Sequence, residues 1–141
     1  MNAVYTLGRI FLSLLFVISG VQKLMDISEI TKQLTDLAVP IPEQIVPYLQ
    51  GMPKYQALGY FVAGVEVIGG LMVLVGLKAR WGAMLLAIFT ALTIVFVDHF
   101  WDMTGPAFKA NLADALENLS IIGGLLLVVA VGSGPGAMDR R

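Results

Sequence analysis

The chain has 141 residues, 57% of them hydrophobic and 13% charged, where an ordinary soluble domain carries about a quarter charged. A compact soluble fold of that length cannot hide so much apolar surface, so the composition points to an integral membrane protein. A formal net charge of −1 leaves no basic footprint for nucleic acid, and the absence of cysteine excludes disulfides, thiol relays and iron–sulfur ligation.

The first predicted element is a spanning helix over 5–24, because a span needs about 20 mostly apolar residues. IFLSLLFVISGV follows Arg9 as a secretory h-region follows its charged start. No A-x-A-like site comes after it, and the apolar run continues to Leu24, so the segment reads as a retained span. Arg9, Ser13, Phe16, Gly20 and Lys23 recur at helical spacing and share one face. Two cations and a hydroxyl therefore point one way on a lipid-length helix.

Residues 25–55 form the one long connection. DISEITKQLTDL opens with Asp26 and Glu29 as a capping box, and Ile27, Ile30, Leu34 and Leu37 fall on one face. This predicts a short amphipathic helix on the bundle or on the membrane surface. VPIPEQIVPYLQGMP carries four prolines and cannot continue as regular helix. Its Ile45, Val46, Tyr48 and Leu49 suggest a stretch packed at the interface. The whole connection reads either as a lid over the bundle mouth or as a plain packed connector.

The second span, 56–77, contains Glu66 near its middle, roughly 15 Å from either interface. A charge there costs about 2.5–3.5 kcal/mol on insertion scales, so it must face the bundle and be paired or protonated. Gly59, Ala63, Glu66 and Gly70 make one stripe of small residues around the acid, a surface a neighbouring helix can approach closely. The polar stripe of the first helix is the matching face. Rise per residue places Arg9 about 8 Å and Lys23 about 13 Å from the midplane, on opposite sides. Arg9 is thus the expected partner ahead of Lys23, although side chains leaning toward the helix N-terminus favour Lys23. Such a pair can serve only to fix helix register, or it can line a pocket for a headgroup, a quinone or a small polar solute.

The third span, 81–99, is framed by Trp81 and Trp101, residues that favour the headgroup level. Asp98, His99 and Asp102 at its end suit a metal, a proton relay or a solvated interface; His99 is a candidate ligand-binding residue. The fourth span, 113–131, opens with Asp114, Glu117 and Asn118. Acids favour a helix N-terminus anyway, so only Asn118, one turn deeper, is a candidate binding residue. GSGPGAMDRR follows as flexible punctuation. Four spans put both termini on one side, and Lys78, Arg80, Arg140 and Arg141 favour the cytoplasm for that side. The expected fold is all-α, an antiparallel up-down four-helix transmembrane bundle in one domain over 1–141, with a short amphipathic segment between helices one and two. No phosphate loop, catalytic triad or metal-ligand pattern is found.

RIFLSLLFVISGVQKL, GVEVIGGLMVLVGLKARWGA and ENLSIIGGLLLVVAVGSGPGAMD together resemble the DoxX family of small four-helix membrane proteins. The features that carry the resemblance are Arg9, then Ser19, Gly20, Lys23 and Leu24, then Glu66, Gly69 and Gly70, and a closing turn at Gly134–Gly136. The resemblance implies an inner-membrane protein. It also implies an association with redox complexes, such as thiosulfate:quinone oxidoreductase and terminal oxidase assemblies, or with oxidative-stress and detoxification systems. No cofactor follows from these residues themselves. Without cysteine or a haem pair, electrons could pass only through a bound quinone or a partner's cofactor. Two readings stand. One is a redox-complex subunit with Arg9, Lys23 and Glu66 around a quinone. The other is a non-enzymatic binder of lipid or solute, a transport component or an assembly partner. Candidate partners are the lipid bilayer, redox-complex subunits and further copies of the chain.

Overall fold

The computed structural model describes residues 2–139. Five α-helices follow in order: α1 Asn2–Met25, α2 Ile27–Asp36, α3 Lys54–Val75, α4 Ala79–Phe96 and α5 Gly105–Val131. Two 3₁₀ turns, Glu43–Leu49 and Phe100–Asp102, interrupt the connections. Four helices, α1, α3, α4 with its following turn, and α5, are long and apolar enough to cross a membrane. The chain is a multi-pass membrane protein with the helical bundle its sequence predicts. The expected ends of the first three spans lie within a few residues of the helices. The fourth helix begins at Gly105 rather than near 113, with Pro106 in its first turn. Its first two turns are polar enough to carry no span signal, yet proline suits the opening of a helix.

α1 packs on α3, α3 on α4, and α4 on α5, while α1 and α5 barely meet. Small residues set these approaches. A Cβ at Gly20 would stand 2.6 Å from Val67, and one at Gly70 would stand 2.8 Å from Val17. Glycine on each helix therefore lets α1 and α3 come together backbone to backbone. Between α3 and α4 the same device uses Gly69 against Leu86 and Gly82 against Met72. The core beside these contacts comprises Phe16, Val73, Ala79, Ala83, Leu86, Ala87, Leu125 and Val128. Outward, residues such as Phe11, Ile18, Phe61, Ile88 and Leu127 are exposed. On a membrane-spanning bundle that surface meets lipid tails.

α2 forms where the amphipathic pattern places it, with Ile30 and Leu34 buried against α3. Gly59 leaves room for it, since Ile30 and Ile27 approach the space a Cβ would take to 3.2 and 3.3 Å. The expected capping box is absent. Asp26 makes no side-chain cap and instead accepts from Ser28 Oγ at 2.6 Å. Its own amide already donates to Gln22 at 3.1 Å, because α1 runs almost directly into α2. Glu29 thus finds no free amide to cap. In the proline-rich stretch, Ile45, Val46 and Tyr48 stay exposed on the protein. The cover over the bundle mouth is α2 with Val39 and Pro40 at the start of this stretch.

The segment after α5 corrects a second expectation. It is not loose punctuation but is tied into the bundle as far as Asp139; Arg140 and Arg141 lie outside the described residues. Tyr5 donates to the carbonyl of Gly132, and Thr6 Oγ1 to that of Pro135 at 2.9 Å. The amide of Met138 donates to Val75 at 2.8 Å, and that of Asp139 to Gly76 at 3.3 Å. The Asp139 carboxylate accepts from the amide of Lys78. The carbonyls of Val75 and Gly76 at the end of α3 and the amide of Lys78 just before α4 would otherwise lack partners, and the folded-back segment supplies them. Gly76 stands at the centre of this junction with φ +75°, and a Cβ there would run into Ala137 and come 2.7 Å from the Arg9 guanidinium. Gly76→Ala should therefore lower stability in detergent by about 2 kcal/mol or more, measured by thermal melting. Gly64→Ala, where nothing lies within 4 Å of a new Cβ, should be neutral or raise stability by up to about 1 kcal/mol. Equal melting temperatures for the two variants would refute the tight junction.

Candidate functional site

Glu66 lies about 18 Å along α3 from Lys54, is 5% exposed, and faces α1. Its partner is Lys23, not Arg9. Lys23 Nζ donates to the two carboxylate oxygens at 2.8 and 2.9 Å, and to Ser19 Oγ at 2.7 Å. The lysine is a quarter exposed along its side chain. Side-chain direction explains the outcome. α1 and α3 run antiparallel, and each side chain leans toward the N-terminus of its own helix. Lys23 leans inward from the far end of α1, Glu66 leans to meet it, and Arg9 leans away from both. Reckoning depth from Cα positions alone picks the wrong cation.

Arg9 has a different task. It is 2% exposed, and donates to the carbonyls of Val73 at 2.7 Å, Leu74 at 2.9 Å and Gly136 at 3.4 Å. A cation on the closing carbonyls of α3 satisfies acceptors that the helix leaves open and complements its dipole. Arg9 thus joins α1, the end of α3 and the folded-back segment. Its Nε has no partner among the described residues.

Lys23 and Glu66 border a cavity of about 340 Å³. α2 roofs it with Ile30, Gln33 and Leu34, followed by Val39 and Pro40. α3 and α4 form the walls, with Phe61 and Val62 facing Phe89, Leu92 and Thr93. Phe61 and Leu92 are also exposed on the outer surface, so the cavity opens sideways between α3 and α4 toward lipid. The volume lies in the range of small-ligand pockets, about 300–1,000 Å³. The walls are apolar, and the ion pair is the one charged feature on them. Neither Phe61 nor Phe89 stands out in the sequence, where aromatic residues on spanning helices are common.

The other candidate residues lie elsewhere. Asn118 on α5 donates to the carboxylate of Asp98 at 2.6 Å, and that aspartate is 5% exposed. His99 Nδ1 lies 2.7 Å from Asp102. Both pairs sit where α4 hands over to α5, and neither lines the cavity at Lys23 and Glu66. Among the described residues, no three histidine or carboxylate side chains gather to hold a metal ion. The Asp98–Asn118 bond ties the two helices together across their connection, a structural use of a buried polar pair.

The ion pair makes a sharp mutational prediction. Lys23→Met leaves Glu66 buried without its cation and should cost about 2–4 kcal/mol in detergent melting. Adding Glu66→Gln should recover a large part of that loss, giving a coupling above about 1 kcal/mol. The corresponding cycle of Arg9→Gln with Glu66→Gln should be additive within about 0.5 kcal/mol. Coupling in the second cycle and additivity in the first would reverse the assignment.

The DoxX family model matches residues 4–99, a stretch that holds Arg9, Lys23, Glu66 and His99. Inner membrane protein YphA of Escherichia coli (strain K12) is 31% identical over 136 residues, covering 96% of this chain and 87% of that protein. ER-derived vesicles protein ERV29 of Saccharomyces cerevisiae (strain ATCC 204508 / S288c) is 26% identical over 82 residues, 58% of this chain and 26% of that protein. No solved structure matches the chain significantly. A family match over most of the sequence and a relative alike along nearly its whole length place it: the chain belongs to the DoxX family.

Proposed function

We propose that this protein is a membrane subunit supporting redox metabolism that holds a quinone in the cavity beneath α2. The observation that carries the reading is an apolar, laterally open cavity with the Lys23–Glu66 pair on its wall. A lipophilic chain enters from the bilayer and runs along the apolar walls, past Phe61 and Phe89. Thr93 and Gln33 offer neutral hydrogen bonds, while the ion pair presents a fixed dipole. The chain has no cysteine and one histidine, so electrons on such a quinone pass to or from a cofactor of a partner subunit. Arg9 supports the site at a distance by fixing α1 against α3, while His99 and Asn118 support it by holding the α4–α5 connection.

A second reading draws on the same sideways opening. Phospholipid tails suit those walls as well as an isoprenoid chain does, which supports a non-enzymatic lipid binder, transport component or assembly partner. Purification in mild detergent, followed by extraction and mass spectrometry, separates the two. The expected result is a quinone retained near one per chain, and its loss in Val62→Trp, which fills the cavity. Phospholipid alone would select the second reading, and extracts no different from a detergent blank would overturn both.

The relative in Escherichia coli is by its name an inner membrane protein, and we place this chain in the inner (plasma) membrane too. Both termini face the cytoplasm in this reading, supported by Lys78 and Arg80 in the short α3–α4 turn. A reporter fused after residue 141 should be active only as a cytoplasmic fusion. Periplasmic activity would invert the orientation.

A further inference from the structure

Lys23 borders two spaces rather than one. Beside the apolar cavity lies a smaller chamber of about 200 Å³ between the end of α1 and the start of α2. Ser19, Gln22, Asp26 and Glu29 line it. Lys23, Ile30 and Gln33 line both spaces and form the partition between them. One compartment is oily and open to lipid. Its neighbour is polar and sits at the bundle mouth, where α1 turns into α2. Adjacent compartments of opposite character suit a molecule that is itself divided into a chain and a head.

Charge decides which head. Lys23 is the single cation lining either space, against three carboxylates, Glu66, Asp26 and Glu29. The lysine is also fully engaged. An ammonium has three donors, and here they serve the two oxygens of Glu66 and the hydroxyl of Ser19. What remains for a ligand is two carboxylates, two glutamine amides and a serine oxygen. An anionic head would face the like charges of Asp26 and Glu29 at the mouth of the chamber, with no free cation to offset them. A neutral hydrogen-bonding head finds both donors and acceptors, and a cationic head finds a net attraction.

We propose that the chamber between α1 and α2 receives the head group of the amphiphile whose chain lies in the larger cavity, and that it admits neutral or cationic heads and rejects anionic ones. This rests on the larger cavity being a binding site, and it narrows the ligand to a class. Quinones and amines belong to it; fatty acids and acidic phospholipids do not.

One alkyl chain carrying three different heads tests the claim. Dodecanol, dodecylammonium and dodecanesulfonate would be offered to the protein in phosphatidylcholine nanodiscs, with occupancy read by native mass spectrometry. The alcohol and the ammonium should bind, and the sulfonate roughly tenfold more weakly than the alcohol. In the double variant Asp26→Asn, Glu29→Gln, the sulfonate-to-alcohol ratio should rise to within about threefold of unity. Both positions are exposed on the protein, and circular dichroism checks that the variant remains helical. A wild-type sulfonate as tight as the alcohol, or a ratio unmoved by the double variant, overturns head selection. If Val62→Trp still abolishes binding in that case, the larger cavity keeps its role and only this inference falls. Binding of none of the three removes both together.

Discussion

Inside a bilayer no water is at hand to solvate a charge, so an ion on a spanning helix must find its counter-ion within the protein. Glu66 imposes that requirement here, and much of the arrangement follows from it. α1 has to present Lys23, so α1 must lie along α3. The approach must be close enough for a lysine to reach, so Gly20 and Gly70 replace bulkier residues at the crossing. The pair then sits beneath α2, whose Ile30 and Leu34 close over the space next to it. A single buried carboxylate thus helps to define a helix pairing, a glycine pattern and a roof.

Arg9 solves the same problem at the other end by a different route. It answers to carbonyl oxygens instead of a carboxylate, and those oxygens come from the end of α3 and from the segment past α5. The two cations of α1 are therefore unequal. Lys23 borders open space, although its donors are taken up by Glu66 and Ser19. Arg9 is enclosed by backbone. One face of α1 thus carries a cation beside a cavity and a cation enclosed by backbone.

Much of this was legible in the sequence. Hydropathy marks the four spans, because lipid demands long apolar runs whatever the tertiary detail. The spacing of Ile27, Ile30 and Leu34 marks α2, and the cost of an isolated Glu66 marks the α1–α3 interface. The choice of cation was not legible from depth alone, since it turns on side-chain lean over distances shorter than the error in a helix boundary. The signal was nonetheless present: Ser19 stands one turn before Lys23 and steadies it. The cavity walls were hidden because phenylalanine on a spanning helix carries no special mark. The folded-back segment was hidden for the opposite reason. Its glycines read as freedom, whereas here positive φ at Gly132, Gly134 and Gly136 fixes a tight path.

That folded-back segment has a consequence for how the protein is made. Tyr5 and Arg9 each reach a partner 127 positions further along the chain. A ribosome delivers the first helix to the membrane long before those partners exist. Until they emerge, the Arg9 guanidinium lacks part of its final shell and the end of α3 lacks its last donors. Completion of the bundle therefore waits on translation of residues 132–139, and the first helix reaches its finished state only after α5 has been made.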